Sequence, residues 1–301
     1  MYYKYSRSVL LSNLGLVFGT FLYGVIVVIV ILALGAGILV PTLRPVYNDI
    51  ESAGYIDEAS GIASGLLRGE KSIGDAAEET KTVYQNILDT VGKYGDKLFF
   101  SYIIVAVLLF FAGFLKAAFD PVTTAYVGGY MSSKMRGKLA SGYFSHPLSS
   151  LAYAALKSLI SGGLTLLIAV SLLLLFNLFP NFLTLLAVIV VGIALFSLKF
   201  ALFAGWSPNI FKGEKTLKAL KNSFDPKRGG GFKAKFYSGV CFYSVLTVCV
   251  MAFTLTTFGL ILFIVLPIYP CMLRIMELVH DYSGAGDKFY IDDFTIVVPK
   301  L

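Results

Sequence analysis

The chain has 301 residues, of which 57% are hydrophobic and only 14% charged, and its mean hydropathy is +0.78. Soluble domains carry about 25% charged residues, and no single aqueous core buries this much apolar sequence, so a water-soluble fold is excluded. A formal charge of +7 would suit nucleic acid, but the basic residues gather between long apolar blocks, which excludes that partner.

The apolar blocks span 14–40, 98–119, 150–178, 182–206, 236–256 and 258–280. Each is near the ~20 residues that an ~30 Å hydrocarbon core requires of a helix. Lys4 and Arg7 followed by the first block imitate a secretory signal. At 27 residues, however, the block exceeds the ~7–15-residue core of such a signal, and no A-x-A-like site follows it. It reads as a retained first span, ended by Pro41.

Residues 41–97 hold six basic and ten acidic residues and form an extracytoplasmic helical insertion. Val83, Ile87 and Val91, with charges between them, predict an amphipathic helix over 75–97. Gly54, Gly61, Gly65, Gly69 and Gly74 break the part before it. The insertion contains no Cys, no His and no calcium-loop spacing. A spacer, a cap over the bundle and a docking surface all fit it.

The last two blocks are nearly continuous, with a tight turn expected near Thr256–Gly259. One unbroken helix of that length would extend far beyond the bilayer. The expected fold is therefore an all-α integral membrane protein, a bundle of about six transmembrane helices in a single polytopic domain, 1–301. The three cysteines, Cys241, Cys249 and Cys271, lie inside apolar blocks without metal-ligand spacing and read as free thiols.

Lys and Arg placement gives the orientation. Segments 1–13, 120–149, 207–235 and 281–301 hold fifteen of the 25 basic residues. Both termini are therefore expected in the cytoplasm, at a cell membrane, with 41–97 outside. Lys116, Lys157, Lys199 and Arg274 fall within blocks, each toward the inner end, from which long basic side chains can snorkel.

In 207–235, Ile210, Leu217, Leu220 and Phe224 lie within about 80° on a helical wheel. Lys212, Lys215, Lys218 and Lys221 occupy the rest of the circumference. That pattern predicts an amphipathic helix over 209–224 on the inner membrane face, its lysines near anionic headgroups; Asp225-Pro226 stops it. An ordinary basic loop explains the lysines equally well. Segment 120–149 repeats the pattern loosely. Phe119-Asp120-Pro121 matches Gly205-Trp206-Ser207-Pro208, and Lys134-Met135-Arg136-Gly137-Lys138 matches Phe211-Lys212-Gly213-Glu214-Lys215, as an internal duplication would give.

Pro121-Val122-Thr123-Thr124-Ala125, the Arg136-Gly137-Lys138 step, the stretch from Gly213 to Phe224, and Pro267 with Tyr282 and Gly284 carry a resemblance. Over about 115–290 the chain resembles bacterial membrane proteins of the YesL-like type and the membrane domain attached to some glycerophosphodiester phosphodiesterases, a domain of unknown function. The resemblance implies a six-span bundle with inner-face loops. It implies no activity and carries no catalytic residue onto this chain. The long acidic insertion at 41–97 departs from it.

Ionisable residues at membrane depth are functional candidates. Arg274, Glu277 and Asp281 share one face of the last block, just after Pro267 and Pro270, which would bend that helix. Two readings stand: a charged cluster turned into the bundle, or an Arg–Glu pair decorating a helix end at the inner interface. His146 and His280 form no H-E-x-x-H, and no phosphate loop or Gly-x-Ser-x-Gly elbow occurs. Gly15 and Gly19 match a small-xxx-small packing motif. No enzyme, cofactor or metal is therefore expected.

The expected function is a non-enzymatic accessory or assembly component of the cell envelope. Its partners would be the lipid bilayer, anionic headgroups and a membrane or envelope protein. The alternative is a small-solute transporter or channel subunit, for which Thr247, Thr254, Thr256 and Thr257 are the candidate polar path.

Overall fold

The computed structural model describes residues 2–135, 147–178, 181–225, 231–257 and 262–299. Its helices are α1 (Tyr2–Ser12), α2 (Leu14–Ser52), α3 (Tyr55–Leu67), α4 (Ile73–Gly92), α5 (Gly95–Ala118), α6 (Asp120–Ser133), α7 (Pro147–Lys157), α8 (Gly163–Leu178), α9 (Phe182–Phe203), α10 (Trp206–Phe211), α11 (Thr216–Ser223), α12 (Phe232–Thr257) and α13 (Leu262–Ala285). A π-helical turn, Ser158–Gly162, joins α7 to α8, and two short strands follow α13: β1 (Phe289–Tyr290) and β2 (Ile296–Val297).

Among the described residues, five stretches are long and apolar enough to cross a membrane: Leu14–Ser52, Gly95–Ser133, Pro147–Asn177, Leu183–Phe211 and Phe232–Ala252. They leave large apolar side chains such as Leu32, Leu167, Leu183, Val190 and Val248 exposed. A soluble protein rarely shows contiguous apolar surface of this extent, and lipid is the solvent that matches it. The chain is an all-α multi-pass membrane protein. The start of the expected sixth span, 258–261, and the side chain of Pro267 lie outside the described residues, as do Arg136, Lys138 and His146; the described part of that span is α13.

Two compact units form, one of Met1–Val27 with Phe110–Leu301 and one of Val28–Leu109. In the smaller unit, Ile62 on α3 packs with Ala76 and Val83 on α4, and Tyr55 and Ile87 flank them. Ser72 caps α4 by accepting from the Asp75 amide (3.2 Å), as N-cap serines do. The Tyr94 hydroxyl reaches Asp49 Oδ2 (2.5 Å).

Three boundaries in this unit differ from expectation. Pro41 does not end the first helix, because α2 runs on through Pro41 and Pro45 to Ser52. A proline costs one backbone bond, and flanking turns still hold there: the Thr42 hydroxyl donates to the Ile38 carbonyl (2.7 Å). Gly61 and Gly65 lie within α3, whereas Gly54 and Gly69, with φ of 73° and 71°, occur at its ends. The amphipathic helix stops at Gly92 rather than reaching Lys97.

In the larger unit the second half of α13 is the central post. Every residue from Cys271 to His280 is buried. Val9 and Leu10 of α1, Leu16 of α2, Val127, Tyr130 and Met131 of α6, Phe200 of α9 and Phe242 of α12 all belong to its core. α1 is therefore a packed helix: Asn13 Nδ2 closes it on the Val9 carbonyl (2.8 Å), and the Tyr2 ring lies 4.4 Å from His280.

The tail is a hairpin, with Phe289 opposite Val297 and Tyr290 opposite Ile296. Asp292 Oδ1 accepts from the amides of Phe294 (2.8 Å) and Thr295 (2.7 Å) and fixes the turn. Tyr130 of α6 and Lys134, just after it, bind Asp293, and Phe289 is buried near Tyr5 and Tyr282.

The Phe294 amide, then the Thr295 side chain and amide, hold the Asp292 carboxyl below the usual carboxylate range. A depressed acid contributes stability above its unfolded pKa of about 3.9 and loses it as pH falls through the lower folded value. Amide protection at Phe294 and Thr295, corrected for intrinsic exchange, is expected to hold at pH 5 and to fall below about pH 4. In Asp292→Ala it is low at both.

Candidate functional site

α5 ends at Ala118, and α6 starts at Asp120 with Pro121 in its first turn, where a missing amide hydrogen costs nothing. This break sets the Asp120 carboxylate against α7 and α13. Tyr153 and Lys157 share one face of α7 at i, i+4, and Arg274 and Glu277 share one face of α13 at i, i+3. The three faces meet in one network. The Tyr153 hydroxyl donates to Asp120 Oδ2 (3.0 Å) and accepts from Lys157 (2.7 Å) and, at 3.5 Å, from Arg274. Lys157 also pairs directly with Asp120, and Arg274 with Glu277, while Arg274 Nε lies 3.7 Å from Asp120 Oδ1.

Arg274 is 7% exposed and Glu277 3%. Two carboxylates face two cations, so the network is neutral. This matters because a lone buried ion costs several kcal/mol. The Tyr153 ring meets Trp206 edge-on at 5.1 Å. Just beyond Lys157 the π turn begins, and Ser158 Oγ there donates to the Phe110 carbonyl (2.9 Å). A Cβ on Gly113 would lie 2.6 Å from that hydroxyl, so glycine permits the approach of α5. Such π turns occur often at functional sites.

Beside the network lies a cavity of about 270 Å³, lined by Gly205, Asn209, Lys212, Glu214, Asn222, Lys235, Glu277 and Asp281 among others. Lys212 Nζ pairs with Asp281 Oδ2 (2.7 Å), and Asn222 Nδ2 donates to Glu214 Oε2 (2.7 Å). Glu277 belongs to both structures, its carboxylate pairing with Arg274 and its side chain forming cavity wall. At 270 Å³ the space is close to the lower end of small-molecule sites, about 300 Å³.

The structure thus brings Arg274 and Glu277 together and sends Asp281 to Lys212. The buried stretch 271–280 places the Arg–Glu pair inside the unit, not at an exposed helix end. The basic residues inside spans also differ from simple snorkelling. Lys157 and Arg274 are in the network, Lys199 donates to Thr165 Oγ1, and Lys116 is exposed.

Lys212, Lys215, Lys218 and Lys221 are all exposed, but the segment is not one helix over 209–224. Gly213, at φ 85°, separates α10 from α11. Ile210 is buried with Trp206, Tyr153 and Ala219, whereas Leu217 is 69% exposed. The buried face of α11 is Thr216, Ala219 and Ser223, small residues that allow close approach. The Trp206 indole donates to the Thr216 carbonyl (3.2 Å), and the Thr216 hydroxyl to the Ser149 carbonyl (3.1 Å).

Thr247 lines a groove with Val188, Ile189, Gly192, Ile193, Phe196 and Tyr243 rather than a polar path. The side chains of Thr254, Thr256 and Thr257 lie outside the described residues. His280 bonds Ser238 Oγ at 3.0 Å. The described residues contain no group of three or more His, Cys, Asp or Glu placed to hold a metal ion, and the three cysteines are free.

Sequence reasoning did not single out Asp120, Tyr153 or Lys235 as site residues and counted Lys157 only as a snorkelling charge. The visible signal was Tyr153 one helical turn before Lys157 inside an apolar block. No family model, curated protein or solved structure matches this chain, so the resemblance to the YesL-like proteins rests on its motifs.

Removing one partner of a buried pair costs about 3–5 kcal/mol, whereas replacing both by apolar groups is often nearly neutral. Arg274→Met is therefore expected to lower thermal stability in detergent by that amount. Glu277→Met placed on top of it should recover part of the loss, and a double-mutant cycle on the melting curves measures the coupling.

Proposed function

We propose that this chain is a non-enzymatic multi-pass protein of the cell membrane that binds a small polar solute in the cavity beside Glu277, as a transporter or channel subunit does. The observation that carries this reading is a cavity walled by Glu277 of the buried network and by Lys212, Lys235, Glu214 and Asp281. Glu277, the one lining charge inside an expected span, is the kind of intramembrane charge that marks a functional site by default. Filling the cavity with Ala285→Trp, at its rim, is expected to remove saturable binding of amino acids, small acids and amines to the purified protein, with an unchanged melting temperature. Retained binding in that variant, or no binding in the parent protein, overturns the reading.

A second reading, an accessory or assembly component of the envelope, draws support from the charge balance of Asp120, Lys157, Arg274 and Glu277. A charge-balanced network braces a scaffold without any ligand. Both readings share one orientation, termini in the cytoplasm and 41–97 outside. It is supported by the basic segments and by contacts that gather α1, Lys134, Lys212 and the tail hairpin around the same end of α13. A single cysteine at position 79, in a cysteine-free background, is expected to react with an impermeant reagent in intact cells. Labelling only after membrane opening reverses the topology.

A further inference from the structure

Lys235 stands apart from the other charged residues of the cavity. It occupies the first turn of α12 and is 3% exposed, and its side chain lines the cavity. Among the described residues its ammonium has no hydrogen bond and no ion pair within 4.0 Å, whereas Asp281 is held by Lys212 and Glu277 by Arg274. Asp281, Glu277 and Asp225 act on it only from a distance, and the polar space before the ammonium is where a contacting counter-charge fits. The lining also offers acceptors, the carboxylates of Glu277, Asp281 and Glu214, and the amides of Asn209 and Asn222.

We infer that Lys235 receives the anionic group, a carboxylate or phosphate, of a small acid whose hydroxyl or ammonium groups donate to the carboxylates opposite. This deepens the solute-binding reading and rests on it. The size of the cavity bounds the ligand. At about 270 Å³, near the lower end of small-molecule sites of about 300 Å³, it suits a few-carbon acid or a single headgroup. A free acid and an anionic phospholipid headgroup share this chemistry.

The test uses the full chain, purified in detergent and in nanodiscs, with four probes: lactate, inorganic phosphate, propane-1,2-diol and phosphatidylglycerol. Lactate or phosphate is expected to bind saturably, and the uncharged diol is not. Lys235→Met is expected to weaken that binding by about thirtyfold or more, the equivalent of losing one buried charge pair, while Lys235→Arg keeps part of it. Lys235-dependent binding seen only with phosphatidylglycerol identifies the lipid headgroup as the source. Both variants are first checked by melting curve, so that a folding defect is separated from lost binding. The inference is overturned if the diol binds as tightly as lactate, if Lys235→Met binds as the parent does, or if no probe binds in a Lys235-dependent way. In the first two cases, binding that Ala285→Trp still abolishes leaves the cavity reading standing. Binding indifferent to Ala285→Trp removes that reading as well.

Discussion

A guanidinium at the centre of a helix that is buried on every side must have carboxylates brought to it, and the larger unit is arranged around that requirement for Arg274. Glu277 comes from the same helix, one turn on, but it satisfies only part of the guanidinium. Asp120 adds a second counter-charge 3.7 Å from Nε, and it reaches Arg274 because the chain breaks between α5 and α6 at Phe119 and restarts on Asp120-Pro121. Lys157 and Tyr153 then neutralise and orient Asp120. Each participant would be expensive alone, and together they are neutral. Such networks are weak evidence for stability and better evidence for a fixed arrangement.

The same requirement explains local features that look unrelated. The π turn after Lys157 and the glycine at 113 let α5 come close to the α7–α8 junction. Trp206, at the start of α10, closes over Tyr153 and ties down the α10–α11 pair through the Thr216 carbonyl. The α6 and α10 breaks also touch each other, Thr124 to Ser207 at 2.7 Å. Both long helices thus end in a short second helix that begins beside a proline, in the two segments whose sequences are loosely alike.

The cavity is the complement of this packing. The network ends at Glu277, and beyond it the side chains of α10, α11, α12 and α13 do not fill the space. They are long, polar and mostly paired with one another. Lys235 is the exception, which is why ligand chemistry is read from it rather than from the four exposed lysines between Lys212 and Lys221. Lys212 is held by Asp281, and Lys215, Lys218 and Lys221 are exposed, where charge is solvated or meets headgroups and requires no specific partner.

Hydropathy is a local property, so the amino-acid sequence by itself determined the all-α membrane class and the placement of five long apolar stretches. Leu14, Gly95 and Phe232 open helices close to the expected starts for that reason. It also placed Arg274 and Glu277 on one helix face, since i, i+3 spacing is a backbone property. Helix ends were less legible: α2 passes Pro41, and Gly213 splits the 209–224 segment, because neighbouring turns and packing outweigh a single residue's preference. The partners of Arg274, the pairing of Asp281 with Lys212, the burial of Lys235 against the cavity and the tail hairpin were decided by tertiary structure alone. They depend on how each helix is rotated about its axis and where its neighbour is broken, and a span reads the same in one dimension whichever way its lysine turns.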